Sequence, residues 1–368
     1  MSTSPRKRPA PDALVAGVVV VILVALVVVV FLTGFGSSLY PPAAVTQQGR
    51  EIRGLYDIVF AFAVAIFLVV EGLIVWSVLR YRRRPSDTDL PVQTHGNNLV
   101  EVIWTVIPTA IVLFLFVISW QTLNNVEAVS ARPDIRIHAI AGQFQWQFEY
   151  LDASGKKVAT QLAPAYDVDT GAGGMAVPVG RSIQVTLDSP DVIHAFYVPR
   201  FLFKRDVVPG QTNKFEFTVD PGEVGQVFRG QCAELCGTGH RLMLFSVIAL
   251  SPADYDTWLT ALIEKTNATP APLPSGTALS VGVKDIAYDT KALEVSADTP
   301  FGITFTNNDP AGVTHDIDVR DSSGTVVENQ DTINGGTSAN YAYTPLPAGS
   351  YTFFCSIHSN MTGTLTVK

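Results

Sequence analysis

The sequence predicts a membrane-anchored α+β protein: N-terminal transmembrane helices followed by two β-sandwich domains. Three observations predict it. Long apolar runs crowd the first third of the 368 residues. Two later blocks hold short alternating or β-branched segments separated by Gly, Pro and Asp turns. The stretch TNATPAPLPSGT, rich in proline and small residues, divides those two blocks.

The apolar runs cover 14–32, 55–79 and 100–123, the second interrupted by Asp57 and Glu71. Each is long enough to cross a hydrocarbon core of about 30 Å as a helix. Arg6, Lys7 and Arg8 precede the first run, and Arg80, Arg82, Arg83 and Arg84 follow the second. Basic flanks stay in the cytoplasm, so three spans carry the chain beyond about residue 124 to the outer face. The first run reads as an uncleaved helix: it is longer than a signal-peptide core, and no small-x-small cleavage site precedes Tyr40. Read as a signal peptide instead, it leaves two spans and the same outer face. The expected boundaries are 1–50 for the first hydrophobic segment and 51–125 for a helix hairpin. A first sandwich at 126–265, a linker at 266–276 and a second sandwich at 277–368 follow.

In the first sandwich the expected strands include 135–140, 182–187, 214–219 and 244–250. A helix follows, with Ser251 as N-cap, Pro252 at its first position and Asp254 two residues on. Tyr255, Trp258, Leu259 and Leu262 supply its apolar stripe. Expected strands of the second sandwich are 301–306, 315–319, 350–354 and 363–367. The outer portion is acidic. Residues 121–265 hold 12 Lys/Arg against 16 Asp/Glu, and residues 266–368 hold 4 against 10. That balance argues against nucleic acid and suits a basic or neutral partner.

The chemistry concentrates in GQCAELCGTGHRLM, which places Cys232, Cys236, His240 and Met243 on one short stretch. The chain has 3 cysteines in all. A disulfide between Cys232 and Cys236 is one reading of an extracytoplasmic pair. Imidazole and thioether at set spacing favour metal, and soft thiolate and thioether donors select copper over zinc or hard cations. His194, in SPDVIHAFYVP, is the candidate for the remaining ligand.

A second constellation lies near the C-terminus. CSIHSNM gives Cys355, His358 and Met361, and His315 follows the N-N-D turn of NNDPAGVTHDIDV. One thiolate, two imidazoles and a weak axial thioether are the donor set of a mononuclear blue (type 1) copper electron-transfer site. No C-x-x-C-H haem attachment motif and no paired H-x-H copper motif is present.

C-x-E-x-C-G-x-x-H-x-x-M, preceded by D-V-x-H and K-x-D-x-x-P-G, resembles cytochrome c oxidase subunit II over roughly 51–265. The stretch 277–368 resembles small cupredoxins such as amicyanin and pseudoazurin. The first resemblance implies a cupredoxin-like domain with a binuclear CuA centre. Cys232 and Cys236 would bridge the coppers, and His194 and His240 would be terminal ligands. Met243 and the carbonyl of Glu234 would complete the set. The Glu234 carboxylate would also reach a magnesium shared with subunit I. Lys204, Asp206, Pro209 and Gly210 match the loop without an assigned role. Glu101, in the V-E-x-I-W-T pattern, would feed protons into a channel of subunit I, or simply complement the helix dipole. GQFQWQFEY matches the aromatic strand through which electrons enter. Trp146 fits its second tryptophan, and Phe144 replaces the first, which puts docking of soluble cytochrome c in doubt.

The implied protein is the non-catalytic electron-transfer subunit II of a haem–copper terminal oxidase in a prokaryotic cytoplasmic membrane. Both copper domains would lie on the outer face. Electrons would pass from an external donor, cytochrome c or a small copper protein, through the fused blue-copper domain to CuA. From there they would reach haem in subunit I for reduction of O2. Subunit III is a further expected partner. Two other readings use the same ligands: a CuA-type nitric oxide reductase, and a membrane-tethered copper-delivery protein.

Overall fold

A computed structural model of the chain describes residues 40–81, 95–163, 174–268 and 272–368. The expected first span, its basic flank and Arg82, Arg83 and Arg84 lie outside these residues. The chain divides into one unit of residues 1–44 and 48–126 and another of residues 45–47 and 127–368.

Among its described residues the first unit holds two helices. Helix α1 runs Gln47–Tyr81 and helix α2 runs Asn98–Glu127. At 35 and 30 residues, each exceeds the roughly 20 needed to cross a bilayer. Both are long and apolar enough to span a membrane. Arg53 fixes the approach to α1. It donates to the carbonyls of Pro41 at 2.7 Å and Pro42 at 3.1 Å, and it lies over the Tyr40 ring. Asn97 caps α2, accepting from the N–H groups of Leu99 at 3.1 Å and Val100 at 3.2 Å. Glu101 answers by accepting from the Asn97 N–H at 3.2 Å. Its carboxylate therefore serves the helix start, whatever else it does.

The first sandwich begins with β1 (Ile135–Gly142), β2 (Gln145–Leu151), β3 (Lys157–Ala163), β4 (Met175–Pro178) and β5 (Ile183–Asp188). It continues with β6 (His194–Val198), β7 (Phe203–Val207), β8 (Asn213–Phe217), β9 (Val227–Cys232) and β10 (Leu244–Leu250). One sheet has the order β3-β2-β1-β5-β8, and the other β4-β10-β9-β6-β7. Gly142 pairs with Gln145, so Gln143 and Phe144 form the two-residue tip of the β1–β2 hairpin. Helix α3 (Pro252–Asn267) closes the domain. Ser251 Oγ accepts from the Asp254 N–H at 3.1 Å, as its sequence requires. The helix reaches Asn267, into the expected linker.

The second sandwich starts with β11 (Thr277–Lys284), β12 (Ala287–Tyr288), β13 (Ala292–Val295), β14 (Phe301–Asn307) and β15 (Asp318–Arg320). Its remaining strands are β16 (Val326–Glu328), β17 (Thr337–Tyr343), β18 (Gly349–Phe354) and β19 (Thr362–Val367). Its sheets run β12-β11-β14-β17 and β13-β19-β18-β15-β16. The strand expected at 315–319 shrinks to Asp318–Arg320, and His315 instead makes an isolated bridge with Ile333. The core includes Val281, Ile303, Phe305 and Phe353.

On β1 of the first sandwich, His138 lies between two carboxylates. Glu149 Oε2 is 3.1 Å from Nδ1 and Asp188 Oδ2 is 3.0 Å from Nε2. The hydrogen bond to Glu149 leads the causes that raise the imidazole pKa, against burial. Burial works against the Glu149 carboxylate too, but His138 and Lys157 hold its pKa below the usual value. The stability from His138 is fully present below its unfolded pKa of about 6.5 and is lost as pH rises through the folded value. The Glu149 contribution has the opposite sense and is lost as pH falls through its depressed pKa. His138→Gln is therefore expected to destabilise more at pH 6 than at pH 8.5. The difference is about 1 kcal/mol, since Asp188 on the other side of the ring is largely solvent-screened. Calorimetric melting temperatures at both pH values check it, and an equal shift at the two would refute the assignment.

Candidate metal centres

Strand pairing assembles the first centre. Phe196 on β6 pairs with Cys232 at the end of β9, and the Ala233 N–H donates to the Ala195 carbonyl at 3.0 Å. His194, at the start of β6, thereby meets the loop leaving β9. The loop folds back because the Cys232 N–H donates to the Met243 carbonyl at 3.0 Å. Cys232 Sγ lies 3.9 Å from Cys236 Sγ and 3.8 Å from His194 Nδ1. Cys236 Sγ lies 3.5 Å from His240 Nδ1 and 3.9 Å from Met243 Sδ. The carbonyl oxygen of Glu234 is 3.2 Å from Cys232 Sγ. Met243 thus stands on the Cys236 side and this carbonyl on the Cys232 side.

The thiols are free and not a disulfide. Their electrostatics differ. Burial raises the Cys232 pKa, but His194 and nearby backbone groups outweigh it and hold the thiol at about 6. Burial and the neighbouring Cys232 charge push Cys236 up to about 12. Two buried thiolates this close repel each other, and a cation among them relieves that repulsion.

The second centre repeats the plan. Cys355 directly follows β18, and its N–H donates to the Met361 carbonyl at 3.1 Å. Cys355 Sγ lies 3.8 Å from His315 Nδ1 and 3.7 Å from His358 Nδ1. Met361 is buried beside them. Burial pushes the Cys355 thiol up to about 12 and lowers the His315 pKa to about 4. Burial lowers the His358 pKa too, so both imidazoles favour the neutral form, the form that binds metal.

The donors themselves decide whether copper suits these clusters. Cysteine sulfur, thioether and imidazole converge, and His194–Cys232–Cys236 and His315–Cys355–His358 each bring ligand atoms within 4.8 Å of one another. Such soft donor sets fit copper and disfavour hard cations. Outer partners fix the rings. Asp191 Oδ1 is 2.9 Å from His194 Nε2, and Asp309 Oδ2 is 2.8 Å from His315 Nε2. These contacts leave Nδ1 facing sulfur in each case. Both aspartates stand in the D-V-x-H and N-N-D segments, so their position was readable although their role was not.

Other expected residues fall as follows. Trp146 is wholly buried against Phe148, Phe196 and Phe245 and presents no surface to a donor. Phe144 is half-buried and lies over the metal loop, where a Cβ on Gly239 would meet its ring at 2.4 Å. Lys204 gains a role: its ammonium bridges Asp206 at 2.7 Å and Glu234 at 3.3 Å. Gln143, which no sequence signal marked, donates from its side chain to the Cys236 carbonyl.

Comparison with known proteins follows the same division. Residues 35–122 match the transmembrane domain of cytochrome c oxidase subunit II, 135–250 its periplasmic domain, and 257–367 a cupredoxin-like domain. A probable cytochrome c oxidase subunit 2 of Streptomyces coelicolor is 32% identical over 254 residues, covering 61% of this chain and 79% of that one. Cytochrome c oxidase subunit 2 of Synechocystis is 29% identical over 283 residues, covering 67% and 83%. Among solved structures, the periplasmic domain of subunit II of cytochrome oxidase from Bradyrhizobium japonicum is 29% identical. It covers 38% of this chain and 99% of that one, with a TM-score of 0.33. With two spanning-type helices, paired cysteines in a copper-suited loop and this extent of similarity, the chain belongs to the cytochrome c oxidase subunit II family.

Proposed function

We propose that this subunit II receives electrons in its C-terminal domain and passes them, through its paired-cysteine centre, towards haem in subunit I for reduction of O2 to water. The observation that carries the proposal is the pair of sulfurs 3.9 Å apart, ringed by two imidazoles, a thioether and a carbonyl. We assign Cys232, Cys236, His194, His240, Met243 and the Glu234 carbonyl to a binuclear CuA centre. His315, Cys355, His358 and Met361 are assigned to a mononuclear type 1 copper. Copper, when bound, supplies one-electron carriage at both centres. The chain's own residues supply the rest. Buried sulfurs exclude water, and Asp191 and Asp309 hold one imidazole of each centre, His194 and His315, which limits how far the ligand frame rearranges when charge arrives.

The domain limits follow as 51–125 for the membrane hairpin, 126–265 for the CuA domain and 277–368 for the blue-copper domain. Phe144, beside Gln143 at the β1–β2 tip, and Trp146, buried on β2, are assigned to electron entry into the first domain. The Glu234 carboxylate, held by Lys204, is assigned to a magnesium shared with subunit I. Glu101 is assigned to proton delivery at the cytoplasmic end. Helices α1 and α2 anchor the chain in a prokaryotic cytoplasmic membrane, with both copper domains on the outer face, beside subunits I and III. The donor is an external one-electron protein such as a c-type cytochrome or a small copper protein.

Stopped-flow reduction of the paired centre by the native donor tests the route. In Cys355→Ala it is expected to slow by more than about 10-fold, since the remaining surface must replace a docked domain of high effective concentration. Unchanged kinetics would remove the second domain from the route.

A further inference from the structure

We propose that Gln143, at the tip of the β1–β2 hairpin, is the positioning residue that joins the two ligand clusters into one electron path across a permanently docked face; this rests on the copper reading above. Both halves of the residue take part. Its backbone carbonyl accepts from His358 Nε2 at 2.9 Å. Its side-chain amide donates to the Cys236 carbonyl. Its own N–H donates to Asp191 Oδ2 at 2.7 Å, while Oδ1 of that carboxylate faces His194. One residue therefore touches a ligand of the second cluster and, directly or through one carboxylate, two ligands of the first.

The histidines of the second cluster are not equivalent. Asp309, in the same sandwich, occupies Nε2 of His315. His358 instead sends Nε2 out of its own sandwich to Gln143. The contact is held by close backbone approach. A Cβ on Gly142 would lie 2.4 Å from the Gly312 oxygen, and a Cβ on Gly312 would lie 2.4 Å from Ile140 Cγ2. The nearest atoms at each glycine belong to the opposite sandwich. Both glycines are buried, and Thr314 reaches across to hydrogen-bond buried Gln145. Only residues without side chains permit this approach.

The docked face changes what the proline-rich stretch does: it spaces two domains already in contact. Along the path one electron leaves the second centre, which is oxidised, and reduces the first. No bond is made or broken and no proton moves. The external donor protein supplies the electron and haem in subunit I removes it. Covalent and hydrogen-bonded links carry tunnelling further than gaps do, and Gln143 fills the interval between clusters with such links.

The test uses the full-length chain in detergent. In the metal-free protein, amide hydrogen exchange at 140–145 and 310–314 is expected to be protected. Gly142→Ala should raise exchange there by about 10-fold or more while β10 and β14 keep their protection, which reports that both sandwiches remain folded. In the copper-loaded protein, light-triggered reduction should show transfer between centres slowed by about 10-fold or more in Gly142→Ala. Gln143→Ala should slow it by about 3-fold or more with the docked segments still protected. Fast exchange at both segments in the unaltered chain overturns the docked face. Loss of protection without slower transfer, or an unchanged rate in Gln143→Ala, overturns the path. A chain that stays protected yet binds no copper sinks the copper reading, and the path with it, while leaving the docked face intact.

Discussion

On the copper assignment proposed above, Cys236→Ser is expected to strip copper from the paired-cysteine cluster while leaving the Cys355 cluster loaded. Cys236 Sγ faces Cys232 Sγ, His240 Nδ1 and Met243 Sδ within 3.9 Å, so its loss removes the donor common to one side of the cluster. Serine offers a harder oxygen on a shorter bond, a poor match for copper. Losing an outer partner of a metal ligand costs about 10–100-fold in affinity, and losing a sulfur ligand itself should cost more than about 100-fold. Oxygen consumption with the native donor should fall with the copper content of that cluster. Metal analysis with electron paramagnetic resonance separates the two centres, and Cys355→Ser should give the converse pattern. Zinc in the unaltered chain, or a variant that keeps its full copper, would refute the assignment.

Ligand spacing was the most legible part of this sequence because both centres use short loops. Cys232 to Met243 and Cys355 to Met361 each close on one backbone bond from cysteine N–H to methionine carbonyl. Long-range partners were hidden. In HDIDV, expected as a strand, His315, Asp316, Ile317, Asp318 and Val319 are all buried, the two acids included. The acids tolerate burial because Asp316 accepts from the Ser356 N–H and Asp318 from the Gln330 N–H, each at 2.7 Å. Those partners come from other loops, so local pattern could not reveal them. The same holds for Gln143, whose partners Cys236 and His358 are 93 and 215 residues away. The docked face was equally invisible, because Gly142 and Gly312 read singly as ordinary turn or strand-end glycines. A proline-rich linker suggested a tether and said nothing of contact.

Trp146→Ala is expected to destabilise the first sandwich by about 3–5 kcal/mol, the range for emptying a large aromatic site in a core. The ring is stacked parallel to Phe148 at 6.4 Å, stands edge-on to Phe196 at 5.8 Å and lies 5.0 Å from Phe245. No exposed route reaches it, since Trp146 is 0% exposed. Its indole N–H meets no acceptor among the described residues. Trp146→Phe therefore forfeits volume but no hydrogen bond, and should cost about 1–2 kcal/mol, well below the alanine variant. Phe144→Ala opens a half-buried site over the metal loop and should leave global unfolding within about 1 kcal/mol of the parent. Denaturant unfolding of the three variants, read beside donor-driven reduction of the paired centre, divides packing from conduction. If Trp146 only packs, Trp146→Phe keeps its reduction rate, and the rate responds instead to Phe144→Ala, whose ring lies over the metal loop. A slower Trp146→Phe with native stability would instead make the buried indole part of the electron path.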